Sequence, residues 1–302
     1  MPRVSAKERL EAALNETRMM VLGGQIILSF QFNAIFQPKF SALPTHLKFM
    51  NAASIGLLMT ALCLLLAPVP YHRLAAGGDA TDQIQRFTTG VIAVTPIPFA
   101  IAIGMDMLIV SNTTLGIGLA GFLTATALGL WYGVELMNRK SAARPTESET
   151  KTSLHEKIKT LNTEARIVLP GVQALLGFQF SAFLMESFDR LPAFAKYVHM
   201  TGLISLALAA IFLMAPAAYH RIAADGEDRP DVDRFAVVMV LGSLIPLAVG
   251  LSADLYLALG IVSDWAPWAA YTSIASVIGT TLYWFGYPLL AKQRPHTSIL
   301  QH

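Results

Sequence analysis

The sequence predicts an all-α polytopic membrane protein with eight transmembrane helices, arranged as two parallel four-helix repeats related by a pseudo-two-fold axis along the membrane normal. Three observations predict it. Apolar residues make up 54% of the 302 positions and charged residues only 14%, and the apolar residues are gathered into long runs. A set of polar and proline positions returns at a fixed interval, and lysine and arginine concentrate on one side of the runs.

The chain repeats itself in register. The Phe-Gln-Phe at 30–32 returns at 178–180, a shift of 148 residues (178 − 30), and the Tyr-His-Arg at 71–73 returns at 219–221 with the same shift. Because the matches include polar residues and prolines, shared apolarity does not explain them. The sequence therefore predicts a tandem duplication of one structural unit.

Each repeat has four apolar segments of about the 20 residues that a helix needs to cross a hydrocarbon core of about 30 Å. The predicted spans are about 19–36, 49–70, 87–110 and 115–137 in the first repeat, and about 167–185, 197–218, 235–259 and 267–290 in the second. The alternating pattern of barrel strands does not occur in the sequence. Helices are the other structure that satisfies backbone polar groups in lipid, so eight helices follow.

The basic residues predict the orientation. If the N-terminus faces the cytoplasm, the inner segments carry 18 of the 22 lysines and arginines. By the positive-inside rule, both termini are therefore cytoplasmic. Four crossings separate equivalent points, so the two repeats are expected to have the same orientation in the membrane.

The predicted domains are a first repeat at 1–138, a linker at 139–152 and a second repeat at 153–302, which ends in a short tail. Each repeat begins with a Ser-x-x-Glu capping box, at 5–8 and 153–156, followed by a segment of mixed polarity. We expect a short amphipathic helix at the membrane surface there. The linker is rich in Ser, Thr, Glu, Lys and Arg, a composition typical of flexible, solvated chain.

The first helix of each repeat is polar for a membrane span, with Gln25 and Gln31 in one copy and Gln173 and Gln179 in the other. One hypothesis is that these amides line a path for a transported cation or proton. The simpler interpretation is that they form interhelical hydrogen bonds worth about 0.6 kcal/mol each.

Repeated residues fall on two opposite faces of these first helices. A helix with two such faces is expected to contact protein on both. We therefore expect the two first helices to be central, each packing within its own repeat and against the other, with Gly23 and Gly171 allowing close approach.

Two acidic residues lie inside predicted spans. Asp106 and Asp254 each follow an arginine by 20 residues, which places them about 30 Å further along, near the outer edge of the hydrocarbon. Carboxylates at such positions suit proton or cation exchange. The simpler interpretation is a pair of outer salt bridges, from Lys48 to Asp106 and from Lys196 to Asp254.

A cluster of charged and aromatic residues is predicted at the cytoplasmic edge of each repeat. Its members are Glu16, Arg18, Tyr71, His72, Arg73 and Arg86 in the first repeat and Glu164, Arg166, Tyr219, His220, Arg221 and Arg234 in the second. The cluster could be a proton relay built on the histidines or a site for anionic headgroups. The favoured interpretation is an ion-paired belt at the interface.

Other chemistry is sparse. Serine elbows, metal-binding motifs and phosphate-binding glycine loops are missing from the sequence, so we expect no catalytic residues, no metal, no cofactor and no enzymatic activity. The single cysteine, Cys63, excludes a disulfide within the chain. The net charge of +2 reflects topology and headgroup contacts, and no nucleic-acid partner is expected.

The capping box, Glu-x-Arg, Phe-Gln-Phe, Leu-Pro and Ala-Pro-x-x-Tyr-His-Arg, present in both copies, resemble a bacterial family of small four-helix membrane proteins of unknown function. Its members often carry a sodium:proton antiporter label, and a typical member resembles one repeat alone. The resemblance implies an intramolecular pseudo-dimer in the bacterial inner membrane.

Two functions are consistent with these observations. The first is a small-cation or proton-linked transporter with its pathway between the repeats and the glutamines and aspartates as ligands. The alternative is a non-transporting membrane protein that binds lipid or a protein partner through its basic cytoplasmic face.

Overall fold

The computed structural model describes residues 6–79, 81–111, 154–222 and 230–292, with short stretches between 117 and 129. Every regular element within these residues is a helix. The first repeat contains α1 (Ala6–Ala34), α2 (Pro38–Ser41), α3 (Thr45–Leu66), α4 (Pro68–Leu74), α5 (Asp82–Val94) and α6 (Pro96–Ser111). The second contains α7 (Leu154–Phe183), α8 (Glu186–Asp189), α9 (Ala193–Ile222), α10 (Pro230–Val262), α11 (Pro267–Thr281), a π-helical turn (Leu282–Gly286) and α12 (Tyr287–Lys292).

The described residues contain five helical segments long and apolar enough to cross a membrane. They are Thr45–Leu74, Gln83–Ile109, Ala193–Ala217, Pro230–Val262 and Pro267–Lys292. The first helix of each repeat adds a shorter apolar stretch, Met20–Ala34 or Val168–Phe183. Most of the predicted span 115–137 and the whole predicted linker 139–152 lie outside the described residues. These apolar helices indicate a membrane protein.

The predicted amphipathic segments are continuous with the first spans. α1 extends over 29 residues and α7 over 30, so a single helix contains both the polar start and the apolar stretch in each repeat. The described part of each helix has no break at which a separate surface helix would turn into the membrane.

The first repeat interrupts helices that are continuous in the second. Pro68 and Pro70 follow the end of α3, whereas the equivalent stretch of α9 has only Pro216 and continues through it. Each proline removes an N–H donor and its ring clashes with the carbonyl four residues earlier. A pair of prolines within one turn therefore ends the helix, while a single proline is accommodated within it. The same contrast, of two prolines against one, separates α5 and α6 from the continuous α10.

The two leading helices pack against each other, as predicted. α1 contacts α7 as well as α3 and α5, and α7 contacts α9 and α10, so each leading helix touches both repeats. The rings of Phe30 and Phe178 lie 4.5 Å apart between their centroids, and Asn33 Nδ2 donates to the carbonyl of Phe178 at 3.5 Å. Ser187, in the short helix α8, donates to the carbonyl of Phe36 after α1.

The two leading glycines differ in their surroundings. A Cβ placed on Gly171 would overlap the side-chain amide of Gln25 and lie 2.7 Å from Gln25 Cβ. A Cβ placed on Gly23 would have no atom within 4 Å. The expectation of a close approach is therefore confirmed at Gly171 and wrong at Gly23, because the two helices cross nearer to the glycine of the second repeat.

A second contact between the repeats joins α3 to α10 and to the π-helical turn. Trp284 is fully buried, and its Nε1 donates to the carbonyl of Cys63 at 2.8 Å. Closer to the loop between α10 and α11, the rings of Phe49 and Trp268 stack with centroids 6.4 Å apart. The core of the molecule is therefore shared between the repeats, and residues of both belong to one cluster of buried apolar side chains.

Candidate functional site

Each repeat brings the aspartate of its third predicted span next to the glutamine of its leading helix. We call Gln31, Ser54 and Asp106 the first acid–amide site, and Gln179 and Asp254 the second. The glutamines occupy equivalent positions of the repeat, and so do the aspartates. Both sites therefore have one side chain from the first helix and one from the helix that carries the acid.

In the first acid–amide site, a serine connects the amide to the acid. Gln31 Nε2 donates to Ser54 Oγ at 2.9 Å, and Ser54 Oγ donates to Asp106 Oδ1 at 3.0 Å. The carbonyl of Ala102 is a more distant acceptor for the same hydroxyl, at 3.4 Å. Gln31 and Ser54 are buried, whereas Asp106 is partly exposed. The three side chains come from α1, α3 and α6.

In the second acid–amide site, the amide reaches the acid directly. Gln179 Nε2 donates to Asp254 Oδ1 without an intervening hydroxyl. Gly202 of α9 stands where Ser54 stands in the first repeat, and a Cβ there would lie 3.2 Å from Gln179 Nε2. Because glycine has no side chain, the amide occupies the space that the serine hydroxyl fills in the other copy.

The second site is enclosed and incompletely satisfied. Asp254 is 4% exposed and Gln179 is fully buried. Within the described residues, Asp254 Oδ2 and Gln179 Oε1 have no hydrogen-bond partner, and Gln31 Oε1 of the first site has none either. A buried acceptor without a donor is costly, so such groups need an explanation.

The predicted outer salt bridges are wrong. Lys48 Nζ donates to the carbonyl of Ser41 at 2.7 Å, and Lys196 Nζ donates to the carbonyl of Asp189 at 2.8 Å. These carbonyls end the short helices α2 and α8, where carbonyls lack helical partners and attract cations. Asp254 lies about 12 Å inside the end of α10 at 1.5 Å per residue. The helix-end carbonyls are therefore nearer to the two lysine ammonium groups than the aspartate carboxylates are.

The remaining predicted glutamines belong to neither site. Gln25 is fully buried where α1 crosses α7, and within the described residues neither of its side-chain polar atoms has a hydrogen-bond partner. Gln173, its equivalent in the second repeat, is exposed on α7. Of the four glutamines, only Gln31 and Gln179 contact their site's polar groups.

A histidine holds the backbone beside the second site. His199 Nε2 lies 3.1 Å from the carbonyl of Gln179, and because a carbonyl only accepts, Nε2 carries the proton of that bond. The ring packs against Phe36 of the first repeat and Phe188 of the second, with centroids 6.0 and 5.0 Å away. The second site is thus fixed against the contact between the repeats.

Three residues of these sites were not predicted from the sequence: Ser54, Gly202 and His199. A signal for each existed in the repeat. Positions 54 and 202 are equivalent but carry Ser and Gly, and positions 51 and 199 are equivalent but carry Asn and His. Such differences between copies mark where two otherwise similar sites have diverged.

The predicted charged cluster at the opposite end of the helices is partly buried. Arg73 is buried and its Nη1 lies 4.0 Å from Asp233 Oδ1 at the start of α10, so this ion pair joins the two repeats. Gln83 Nε2 donates to the Tyr71 hydroxyl at 2.6 Å, while the Tyr219 hydroxyl donates to an Asp231 carboxylate oxygen at 3.2 Å.

Other members of the cluster differ in placement. His72 is buried, and Arg86 and Arg234 are exposed. The side chains of the remaining members lie outside what the structure describes: Glu16, Arg18, Glu164, Arg166, His220 and Arg221. In the described part, Arg73 of the cluster forms an ion pair with Asp233, which was not predicted to belong to the cluster, and that pair spans the repeats.

A groove of about 540 Å³ lies between α3 of the first repeat and α10 and α11 of the second. Small and hydroxyl side chains line much of it, including Gly56, Thr60, Ser276 and Gly279. Among the described residues that line the groove, none is acidic. Each aspartate forms its hydrogen bond within its own repeat, and the pathway between the repeats with both acids as ligands stays a prediction.

Within the described ranges, no group of three or more His, Cys, Asp and Glu side chains is arranged to hold a metal ion. The arrangement offers instead two carboxylates, of which Asp106 bonds to the Ser54 hydroxyl and Asp254 to the Gln179 amide.

Comparison with known proteins identifies the unit that is repeated. A family model, described as a family of unknown function, matches the chain twice, at residues 4–138 and 147–288. Searches of curated proteins and of solved structures each found no match. The two matches fit an internal repeat and cover most of the chain. The protein therefore belongs to the family of unknown function DUF6328.

Proposed function

We propose that the protein is a membrane transporter that exchanges protons or small monovalent cations at its two acid–amide sites. One observation carries the proposal: Asp106 and Asp254 lie in helices long and apolar enough to cross a membrane, and their hydrogen-bond partners are neutral hydroxyl and amide groups. The lysines that could neutralise them bind backbone carbonyls instead.

Charged side chains inside a bilayer are expensive, and those that occur usually pair or mark a path for ions or protons. A buried carboxylate with no basic partner needs a compensating positive charge. A mobile proton or cation supplies that charge. When it enters the site from one side of the membrane and leaves on the other, the exchange is transport.

We further propose the topology in which this exchange occurs. The five long apolar segments, the apolar stretches of α1 and α7 and the predicted span 115–137 make eight spans in two parallel repeats. The repeats are related by a pseudo-two-fold axis along the membrane normal, and the packing of α1 on α7 supports this arrangement. The charge distribution supports cytoplasmic termini in a bacterial inner membrane.

The alternative is a protein that binds anionic lipid headgroups or a partner through its basic face. The burial of Arg73 and its ion pair with Asp233 make this alternative weaker, because a cation held between the repeats is not free for a headgroup. The proposed role is not enzymatic, and it requires no cofactor or nucleic acid.

Flux measurement in proteoliposomes tests the proposal. A Na⁺ or K⁺ gradient across vesicles that contain the intact protein is expected to drive proton movement, recorded with an internal pH-sensitive dye. The double variant Asp106→Asn and Asp254→Asn removes both carboxylates but keeps their shape and a hydrogen-bond acceptor. It is expected to lower the flux to that of protein-free vesicles.

A charge-matched control removes two acids elsewhere. Glu186→Gln and Asp189→Asn alter exposed side chains of α8 and are expected to leave the flux unchanged. Unchanged flux in the Asp106 and Asp254 double variant, in folded protein, would exclude the acid–amide sites. No flux in the intact protein under any gradient would exclude transport of these ions and favour the lipid-binding or partner-binding role.

A further inference from the structure

The second acid–amide site has the groups of a closed hydrogen-bonded ring that lacks one proton. Gln179 Nε2 donates to Asp254 Oδ1, which leaves Gln179 Oε1 and Asp254 Oδ2 without partners among the described residues. With the carboxyl group ionised, both oxygens only accept. A proton on Asp254 Oδ2, donated to Gln179 Oε1, satisfies both at once, so that the acid and the amide each donate to the other.

Burial makes the ionised form of this site unfavourable. Asp254 is 4% exposed and Gln179 is fully buried. Loss of the proton would leave a buried carboxylate charge and a bare amide oxygen that cannot donate to it. The enclosed pair therefore suits the neutral acid and not its anion.

The titratable and charged groups of the helices packed on α10 bond elsewhere. Lys196, at the start of α9, donates to a backbone carbonyl, and Nε2 of His199 in the same helix bonds to a carbonyl of α7. Arg73 of α4 forms its ion pair at the start of α10, and the Cys63 thiol of α3 bonds to a threonine hydroxyl of α11. These contacts bring no positive charge to Asp254, so a proton is the charge that neutralises it.

The first acid–amide site suits both forms of its acid. Ser54 Oγ accepts from Gln31 Nε2 and donates to Asp106 Oδ1. A hydroxyl can turn to donate to a carboxylate or to accept from a protonated acid. Asp106 is also partly exposed, so a proton can reach it from its surroundings. This acid can therefore lose and regain a proton without losing its hydrogen-bond partner.

We propose that the equivalent residues Ser54 and Gly202 decide how each site holds its proton. Gly202 lets the second site close as a neutral acid–amide ring that retains its proton, and Ser54 makes Asp106 the readily exchanging acid. A Cβ at position 202 would lie 3.2 Å from Gln179 Nε2, so only glycine leaves the amide free to close the ring. The inference deepens the proposed transport function and rests on it for the role of the first site.

Infrared spectroscopy of the full-length protein in lipid vesicles tests the ring without any transport measurement. A protonated carboxyl group has a carbonyl stretching band that a carboxylate lacks. The part of this band that Asp254→Asn removes is expected to persist as the pH is raised, for as long as the protein stays folded. On transfer to D2O it is expected to shift slowly, because the ring must open before its proton leaves. The part that Asp106→Asn removes is expected to exchange rapidly.

Exchanging the two residues tests whether they decide the difference. Gly202→Ser is expected to hold the amide away from the acid, so that the Asp254 band exchanges as rapidly as the Asp106 band. Ser54→Gly is expected to slow the exchange of the Asp106 band and to lower the flux. Ser54→Ala is the matched control, because it removes the hydroxyl but retains a Cβ, and it is not expected to slow the exchange. Gly202→Ser also keeps the inference testable if Asp254→Asn does not fold.

The outcomes separate this inference from the proposed function. An Asp254 band that exchanges as fast as the Asp106 band in the intact protein, or exchange rates unchanged by Gly202→Ser and Ser54→Gly, would overturn the inference. Absence of an Asp254 band together with measurable proton flux would overturn the ring and leave transport standing. A slowly exchanging Asp254 band without any flux in vesicles would support the ring and contradict the transporter.

Discussion

Replacing both site glutamines by leucine, Gln31→Leu with Gln179→Leu, is expected to reduce cation-driven proton flux to the level of protein-free vesicles. Gln31 orients Ser54 towards Asp106, and Gln179 donates directly to Asp254. Leucine has similar bulk but no donor, so both carboxylates lose the group that positions them. A buried acceptor that loses its donor also bears the full desolvation cost of about 1–3 kcal/mol.

The chain contains a matched control in its other two glutamines. Gln25→Leu with Gln173→Leu changes the same residue types in the same two helices but touches neither site. Flux is expected to remain at the intact level, because Gln25 has no side-chain hydrogen-bond partner among the described residues and Gln173 is exposed on α7. Removing the unpartnered amide of Gln25 is also expected to raise thermal stability. Equal loss of flux in the two double variants would show that general helix polarity, not the acid–amide sites, supports transport.

Gly171→Leu is expected to separate the leading helices and to destabilise the protein strongly. Even a Cβ at this position overlaps the Gln25 side chain, and the overlap includes the Gln25 Cβ, which is fixed to the backbone of α1. The helices must therefore move apart. Overpacking of this kind costs about 1–3 kcal/mol and occasionally more. The measurement is unfolding in mixed detergent micelles, followed by circular dichroism.

Gly23→Leu is the control for this prediction. It makes the same substitution at the equivalent repeat position, where a Cβ has no atom within 4 Å. Its unfolding is expected to match that of the unaltered protein within about 0.5 kcal/mol, the usual range for positions without close neighbours. Similar destabilisation by both variants would mean that loss of glycine in the helix, rather than contact between the repeats, decides the effect.

Much of the architecture could be predicted from the sequence because the apolar runs and the repeat each extend over many residues. The apolar run at 235–259 falls within α10, and that at 49–70 falls within the apolar segment Thr45–Leu74. Repetition also indicated that the leading helices contact each other, since each carries repeated residues on two faces. These conclusions need only periodicity and length, which a single sequence contains.

The site was only partly predictable, since depth along a helix does not fix which neighbour a side chain faces. Asp106 and Lys48 have compatible depths in the sequence, but the lysine bonds to the Ser41 carbonyl and the aspartate to Ser54. The carbonyl at the end of α2 depends on a loop whose path is set by tertiary packing. The interruption after α3 likewise required recognising that Pro68 and Pro70 act as a pair.

The proposed transport requires that Asp106 and Asp254 are carboxyl groups inside the membrane without a basic partner. Dicyclohexylcarbodiimide, an apolar reagent that partitions into bilayers and modifies carboxyl groups there, measures this directly. After treatment of the protein in lipid vesicles, peptide mass spectrometry is expected to find the adduct on both aspartates and not on Glu186 or Asp189 of α8. Absence of the adduct from both aspartates, while the reagent modifies other carboxyl groups in the same vesicles, would contradict the placement of these two carboxyl groups inside the membrane.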